Sequence, residues 1–225
     1  EAWSSASATS YAQGECSGGA GTQTAALIAG GSIPEVATSG EYNGSGWTAG
    51  GNMNNAGGYR GLGGTQTAGF CFGNQVNSPD NPNGASETYN GTAWTAITSN
   101  PQSTSQNASF GSTTAGVCAA GRTSNMDAAT TTTNEWDGSS WTSGGAYPAS
   151  IRLMAVTSTA PATTGLAFGG QNGGSPSPGN VATCQSYDGS TWTSQTVIPT
   201  ATSDNGGAAG TSASALLSGG KAPSV

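Results

Sequence analysis

Side chains able to do acid–base, nucleophilic or metal chemistry are scarce in this 225-residue sequence: four cysteines (Cys16, Cys71, Cys118, Cys184), eleven Asp plus Glu, four Lys plus Arg and no His. Without imidazole there is no Ser-His-Asp triad, no His-ligated zinc or haem, and no histidine pH switch. The cysteines lack CxxC spacing, so a zinc site is not expected. Cysteines at equivalent places in neighbouring repeats stand too far apart to bridge, so buried free thiols are expected, with a pairing of Cys16 left open. The sequence therefore reads as non-enzymatic, with no catalytic, cofactor-binding or metal-ligating residue assigned. A calcium site built from oxygens stays open, although no Asp-rich loop of EF-hand type is present.

Charge narrows the partners. Charged residues make up 7% of the chain and the net charge is -7, which leaves little with which to grip nucleic acid phosphates or an anionic membrane. No apolar run approaches the ~20 residues that span a bilayer, and Glu1-Ala2-Trp3 lacks the basic and apolar regions of a signal peptide. The chain is accordingly read as soluble and without a targeting segment.

The elements that position these residues follow from internal repetition. Tryptophans fall at Trp3, Trp47, Trp94, Trp141 and Trp192, spaced by 44, 47, 47 and 51 residues. Before four of them an aromatic precedes an Asx-Gly pair: Tyr42-Asn43-Gly44, Tyr89-Asn90-Gly91, Trp136-Asp137-Gly138 and Tyr187-Asp188-Gly189. Asn-Gly and Asp-Gly tolerate positive φ, so each phrase predicts two strands joined by a type I′ hairpin, with Gly44, Gly91, Gly138 and Gly189 in the turns. Asp137 and Asp188 thus take the place of Asn43 and Asn90 and do not form a catalytic carboxylate pair.

Upstream lies an apolar tripeptide running into a glycine doublet, in five copies: Leu27–Gly31, Phe70–Asn74, Val117–Gly121, Leu166–Gly170 and Leu216–Gly220, with Asn74 and Ala120 replacing doublet glycines. Small-residue stretches precede it, near-identical in Gly21-Thr22-Gln23-Thr24-Ala25 and Gly64-Thr65-Gln66-Thr67-Ala68. One period is then a small-residue strand, an apolar strand, a strand ending in the aromatic and a strand carrying Trp. Four strands in about 45–50 residues is the period of a propeller blade. No helical periodicity of useful length is present. Tryptophans at equivalent positions are expected to pack between blades, where each buries about 150–250 Å².

The doublet, the Tyr and the Trp on successive strands resemble the kelch repeat over almost the whole chain. That resemblance implies an all-β propeller of four-stranded antiparallel blades, and 225 residues shared among five copies give about 45 per unit, so a single domain, 1–225, is expected to form a five-bladed β-propeller. Ala2-Trp3-Ser4 would complete the blade begun by Ser218-Gly219-Gly220, closing the ring and removing exposed sheet edges. Only four aromatic-Asx-Gly hairpins accompany five doublets, so the seam blade is expected to be three-stranded or the sequence cut from a longer chain. The repeat wording, Thr-Gln-Thr-Ala and Tyr-Asp-Gly-Ser-Thr-Trp-Thr, is similar to marine bacteriophage repeat proteins, which implies a virion component such as a capsid decoration, tail or fibre protein. A kelch-like copper–tyrosyl oxidase would need histidine ligands that are missing here.

Asn43, Asn90 and Asn107 begin formal glycosylation sequons, the first two explained by turn chemistry. Loops 75–83 and 171–178 are read as tolerated insertions, and Arg60, Arg122 and Arg152 as structural hydrogen-bonding groups. The function expected is a structural or interaction module of a virion or extracellular surface, its partners other virion or surface proteins. The alternative is a lectin-like propeller that binds glycans through several weak equivalent sites.

Overall fold

Each repeat folds as an antiparallel meander in which the strands lie side by side in chain order. The computed structural model describes residues 7–9, 18–32, 34–76, 82–123, 128–172, 179–204 and 207–221. The first sheet holds β1 (Gly19–Thr22), β2 (Ala25–Ser32), β3 (Glu35–Tyr42) and β4 (Trp47–Ala49). The second holds β5 (Gly61–Thr65), β6 (Ala68–Gln75), β7 (Pro82–Tyr89) and β8 (Trp94–Ile97). The third holds β9 (Ala108–Ser112), β10 (Ala115–Ala119), β11 (Thr133–Trp136) and β12 (Trp141–Ser143). In the fourth repeat β13 (Ile151–Arg152) pairs with β16 (Gln171–Asn172), beside a four-stranded sheet of β14 (Ala155–Val156), β15 (Gly165–Phe168), β17 (Cys184–Tyr187) and β18 (Trp192–Ser194). The fifth contains β19 (Gly207–Thr211) and β20 (Ser214–Ser218). The strand sequence expected of one period is therefore present, with the fifth sheet two-stranded among the described residues. Trp3 and the proposed closing strand Ala2-Trp3-Ser4 lie outside the described residues, as do Cys16 and most of loops 75–83 and 171–178.

The doublet works by backbone conformation. Its first residue is left-handed in all five copies: Gly30 at φ +70°, Gly73 at +72°, Ala120 at +55°, Gly169 at +58° and Gly219 at +77°. In β2 and β6 this residue is skipped in the pairing, a bulge between Ala29 and Gly31 and another between Phe72 and Asn74. A left-handed extra residue bends the strand and raises its twist, which is why glycine dominates the position.

The hairpins differ from the expected type I′ turn. Four residues separate the paired aromatic and Trp, and Asn43, Asn90, Asp137 and Asp188 are not left-handed. Each instead lends its side-chain oxygen: Asp137 Oδ1 accepts from the amides of Ser139 and Ser140, both at 2.7 Å, and Asn43 Oδ1 from Ser45 (3.0 Å) and Gly46 (2.9 Å). Asn90 and Asp188 repeat the pattern. Asn and Asp are selected as Asx-turn acceptors, and only the glycine, at φ +92°, +88°, +95° and +95° in Gly44, Gly91, Gly138 and Gly189, carries positive φ. At Gly138 a Cβ would meet nothing nearer than 3.4 Å, so Gly138→Ala isolates the backbone cost. It is expected to lose about 1–2 kcal/mol, read as a fall in melting temperature of about 2–4 °C per kcal/mol.

The core lies between sheets. Leu27 of the first packs with Leu62, Cys71, Tyr89 and Trp94 of the second; Phe70 and Phe72 of the second with Cys118 and Trp136 of the third. Phe110 and Val117 of the third meet Tyr187 of the fourth, and Leu166 and Phe168 of the fourth meet Leu217 of the fifth. Across each hairpin the aromatic and the Trp are register partners with ring centroids 4.8–5.3 Å apart. The third-strand aromatic is the more deeply buried member: Tyr89, Trp136 and Tyr187 are buried, whereas of the repeat tryptophans Trp94 is buried and Trp47, Trp141 and Trp192 are half-buried. Indoles still bridge sheets, Trp141 Nε1 donating to Thr98 O (2.8 Å) and Trp192 Nε1 to Thr133 Oγ1 (3.0 Å).

Candidate functional site

All five innermost strands, or the residues that lead into them, line a single cup of about 580 Å³. Small residues let these strands converge: β1, β5 and β19 read Gly-Ala-Gly-Thr, Gly-Leu-Gly-Gly-Thr and Gly-Ala-Ala-Gly-Thr. At the rim, five corresponding residues are left-handed: Gly18 (φ +59°), Tyr59 (+53°), Gln106 (+56°), Leu153 (+57°) and Asp204 (+49°). Tyr59, Gln106, Leu153 and Asp204 each turn the chain from an inter-sheet connection into an innermost strand, and Gly18 directly precedes β1. Their backbones are joined from one sheet to the next, Gln106 N donating to Tyr59 O (2.7 Å) and Leu153 N to Gln106 O (3.0 Å). Left-handed backbone at a non-glycine residue costs of order 1–3 kcal/mol and clusters where a ligand is held.

At the other end sits the β14–β15 connection, longer than its counterparts. The Ser158 hydroxyl donates to Gly19 O (2.9 Å) and the Ser158 carbonyl accepts from Gly64 N (3.2 Å), so this loop ties three sheets across the cup. Leu62, Met154, Val156 and Ala208 give the walls an apolar character, while Gln106, Asn107 and Asp204 supply polar groups. Gln106 Oε1 is buried without a hydrogen-bond partner. Asn107, the third sequon asparagine, is buried and donates through Nδ2 to Phe72 O (3.1 Å), so it is a wall residue and not a glycan acceptor.

Arg60 belongs to the cup by its backbone, but its guanidinium turns into the protein. Nη1 lies 3.8 Å from Glu87 Oε1, with both side chains fully buried. Glu87 accepts four further hydrogen bonds from Asn54 and Asn55, two from backbone amides (2.8 and 3.0 Å) and two from side chains (2.9 and 3.1 Å). A buried carboxylate so fully partnered is a structural node. Arg152 donates to Gln171 Oε1 (2.9 Å), and Arg122 is buried beside Ser105, whose backbone it pairs with.

Two further acids, Glu41 and Glu135, are also held by neighbouring sheets. Tyr89 donates its hydroxyl to Glu41 of the preceding sheet, and Tyr187 donates to Glu135 of its preceding sheet. Between those two pairs the residue matching Glu41 is Thr88 and the matching aromatic of the next sheet is Trp136, which has no hydroxyl. Carboxylate and phenol thus occur together and are replaced together.

Three cysteines, Cys71, Cys118 and Cys184, are free and buried. Burial pushes the Cys71 thiol up to about 12 and the Cys118 thiol up to about 11, which keeps both protonated and unreactive at neutral pH. Burial, with the Glu41 hydrogen bond, raises Tyr89 to about 12. These groups hold their protons more tightly folded than unfolded, so their contribution is complete below the ordinary thiol value of 9.0 and drains away as pH climbs toward 12. Asp137 and Asp188 are held below their ordinary 3.8 by turn hydrogen bonds, Asp188 at about 2, so their contribution disappears as pH falls through that range. Melting temperature is therefore expected to be flat between about pH 4 and pH 9 and to decline on both sides.

Among the described residues no group of three or more His, Cys, Asp or Glu could hold a metal ion, and no helix is long and apolar enough to cross a membrane. The meander sheets with their shared inter-sheet cores define an all-β, propeller-like fold. The solved structure of YjhT is similar to it, with a TM-score of 0.69 and 12% sequence identity over 89% of this chain and 70% of that one. At that identity the likeness concerns the fold alone. No protein-family model and no curated protein sequence matches the chain.

Proposed function

We propose that this chain is a non-enzymatic interaction module, a five-bladed kelch-like propeller that serves as a structural component of a bacteriophage particle, as capsid decoration, tail or fibre protein. The observation that carries the reading is where the acids go: Glu41, Glu87 and Glu135 are hydrogen-bonded between or within sheets and Asp137 and Asp188 within turns. The polar groups of the repeat are used to hold blades together, as a rigid scaffold requires. The bacteriophage assignment draws on the wording of the repeats.

Ring closure is part of the proposal. The Ser7 hydroxyl donates to the carbonyl of Ser45, and Gly145 N donates to Ser190 O (3.1 Å). Ser7 and Gly145 each follow a repeat Trp by four residues, and Ser45 and Ser190 each precede one by two. The N-terminal segment thus meets the first sheet as the third meets the fourth, which supports Trp3 as the outermost strand of the fifth blade.

A second reading, glycan binding, is favoured by the cup. Its volume falls within the range of about 300–1,000 Å³ typical of ligand pockets, and its lining includes the unpartnered amide oxygen of Gln106 and the carboxylate of Asp204. The two readings separate in a glycan-array screen combined with particle assembly. Stable incorporation into particles without glycan binding supports the structural module; saturable binding that Gln106→Ala abolishes supports the glycan reading.

A further inference from the structure

We propose that Asn43 and Asn90 are self-modifying sites, each losing its side-chain amide to the backbone nitrogen of the following glycine and ending as aspartate, in a turn that stabilises the oxygen made negative on the way. The inference goes beyond the interaction-module reading and stands whether or not that reading holds.

The reaction needs only the turn and water. The nitrogen of Gly44 or Gly91 attacks Cγ of the preceding Asn and gives its proton to solvent base. The tetrahedral centre then expels the side-chain nitrogen, which takes a proton from water and leaves as ammonia, and a five-membered succinimide closes. A second water opens the ring. Attack at Cγ breaks the new C–N bond and yields Asp, whereas attack at the backbone carbonyl carbon yields a β-linked isoaspartate. No oxidant or reductant is consumed.

Charge develops on Oδ1 when the ring closes and again when water attacks Cγ. In the first turn that oxygen accepts from Ser45 N (3.0 Å), Gly46 N (2.9 Å) and Ser45 Oγ (2.9 Å). In the second it accepts from Thr92 N and Ala93 N, both at 2.9 Å. Converging donors of this kind act as a small oxyanion hole, gripping the oxygen more tightly as its charge grows, and that difference is what lowers a barrier. The other two hairpins display the preference directly. Their equivalent amides hold the carboxylates of Asp137 and Asp188, and these hydrogen bonds keep Asp188 at about 2, below its ordinary 3.8. The cradle thus holds the product more firmly than the reactant, and an ionised carboxylate has no leaving group for a further round. Each conversion adds one negative charge to the chain's net -7.

A third Asn-Gly pair among the described residues supplies the contrast. Asn83 and Gly84 are the second and third residues of β7. Asn83 is paired with Asn74, and its Oδ1 accepts from one amide among the described residues, Ala85 N (2.9 Å). Gly84 is buried, its carbonyl accepts from Asn100 N (2.8 Å), and a Cβ on it would lie 2.1 Å from Asn100 O. Its backbone cannot swing toward Asn83 Cγ without leaving that packing. Asn43 and Asn90 are exposed, outside the strands.

The test is peptide mapping by mass spectrometry of the folded full chain during incubation at mildly alkaline pH, with the same chain in denaturant alongside. In the folded chain Asn43 and Asn90 are expected to convert at least about tenfold faster than Asn83, well within the factor of about 10²–10³ that one oxyanion donor supplies. Asp is expected to predominate over isoaspartate, because the donors polarise Cγ and not the backbone carbonyl. In denaturant the three rates are expected to converge and isoaspartate to predominate. Ser45→Ala, a change on the exposed turn, removes one of the three donors to Asn43 and is expected to slow it toward the rate of Asn90. The proposal is overturned if Asn43 and Asn90 convert no faster than Asn83, or if isoaspartate predominates at them in the folded chain. A rate at Asn43 indifferent to Ser45→Ala, or a difference among the three sites that persists in denaturant, overturns it equally.

Discussion

Glu87→Ala is expected to destabilise the protein by about 3–5 kcal/mol, the range for breaking a buried ion pair from one side. For a chain of this length that corresponds to a fall of roughly 6–20 °C in melting temperature. The carboxylate is fully buried, holds four donors from Asn54 and Asn55 and lies beside the Arg60 guanidinium. Its removal strands a buried cation and four donors together, each costing the desolvation that its partner had offset. Glu87→Gln should do nearly as much harm, because its amide NH₂ would point a donor at donors. Arg60→Met added to Glu87→Met should recover a large part of the loss, since replacing both charges by apolar groups avoids the stranded ion. A change below about 1 kcal/mol in Glu87→Ala would mean that the carboxylate is solvated.

The second large effect is expected at the contact between the third and fourth sheets. Tyr187→Phe removes the hydroxyl that donates to Glu135 and should cost about 1.5–3 kcal/mol, the value of a hydrogen bond to a charged group. Glu135→Thr should cost a similar amount. The double variant should cost less than the sum, with a coupling of about 0.5–3 kcal/mol in chemical denaturation, because each single change leaves its partner's polar group unpaired and the double change removes both. Additive losses would show that the two side chains do not meet.

Much of the fold was legible because a repeat states the same physical requirement several times. The aromatic and the Trp marked strand boundaries in four repeats, the doublet ended the apolar strand in β10, β15 and β20 but became a bulge inside β2 and β6, and the small-residue stretches became the innermost strands. What single residues do was harder to see. Asn43 and Asp137 were recognisable as turn residues, but an Asx turn and a type I′ turn select the same dipeptide, so the sequence could not separate side-chain capping from positive φ. Glu87 gave no signal, since its donors, Asn54 and Asn55, lie more than thirty residues away. The cup rim was hidden for a different reason. Tyr59, Gln106, Leu153 and Asp204 each follow a repeat Trp by twelve residues, yet they share a backbone conformation and no side-chain chemistry. The constant offset was the available clue. The Glu–Tyr contact was likewise present as paired substitution, Glu with Tyr and Thr with Trp, but across adjacent repeats and not within one.

A crystal structure of the full chain tests the central arrangement most directly. The expected result is that the innermost strands of all five sheets converge on one cup, with the Ser158 hydroxyl within hydrogen-bonding distance of Gly19 O. Sheets fanned into an open arc, with Ser158 far from Gly19 and no shared cup, would contradict it.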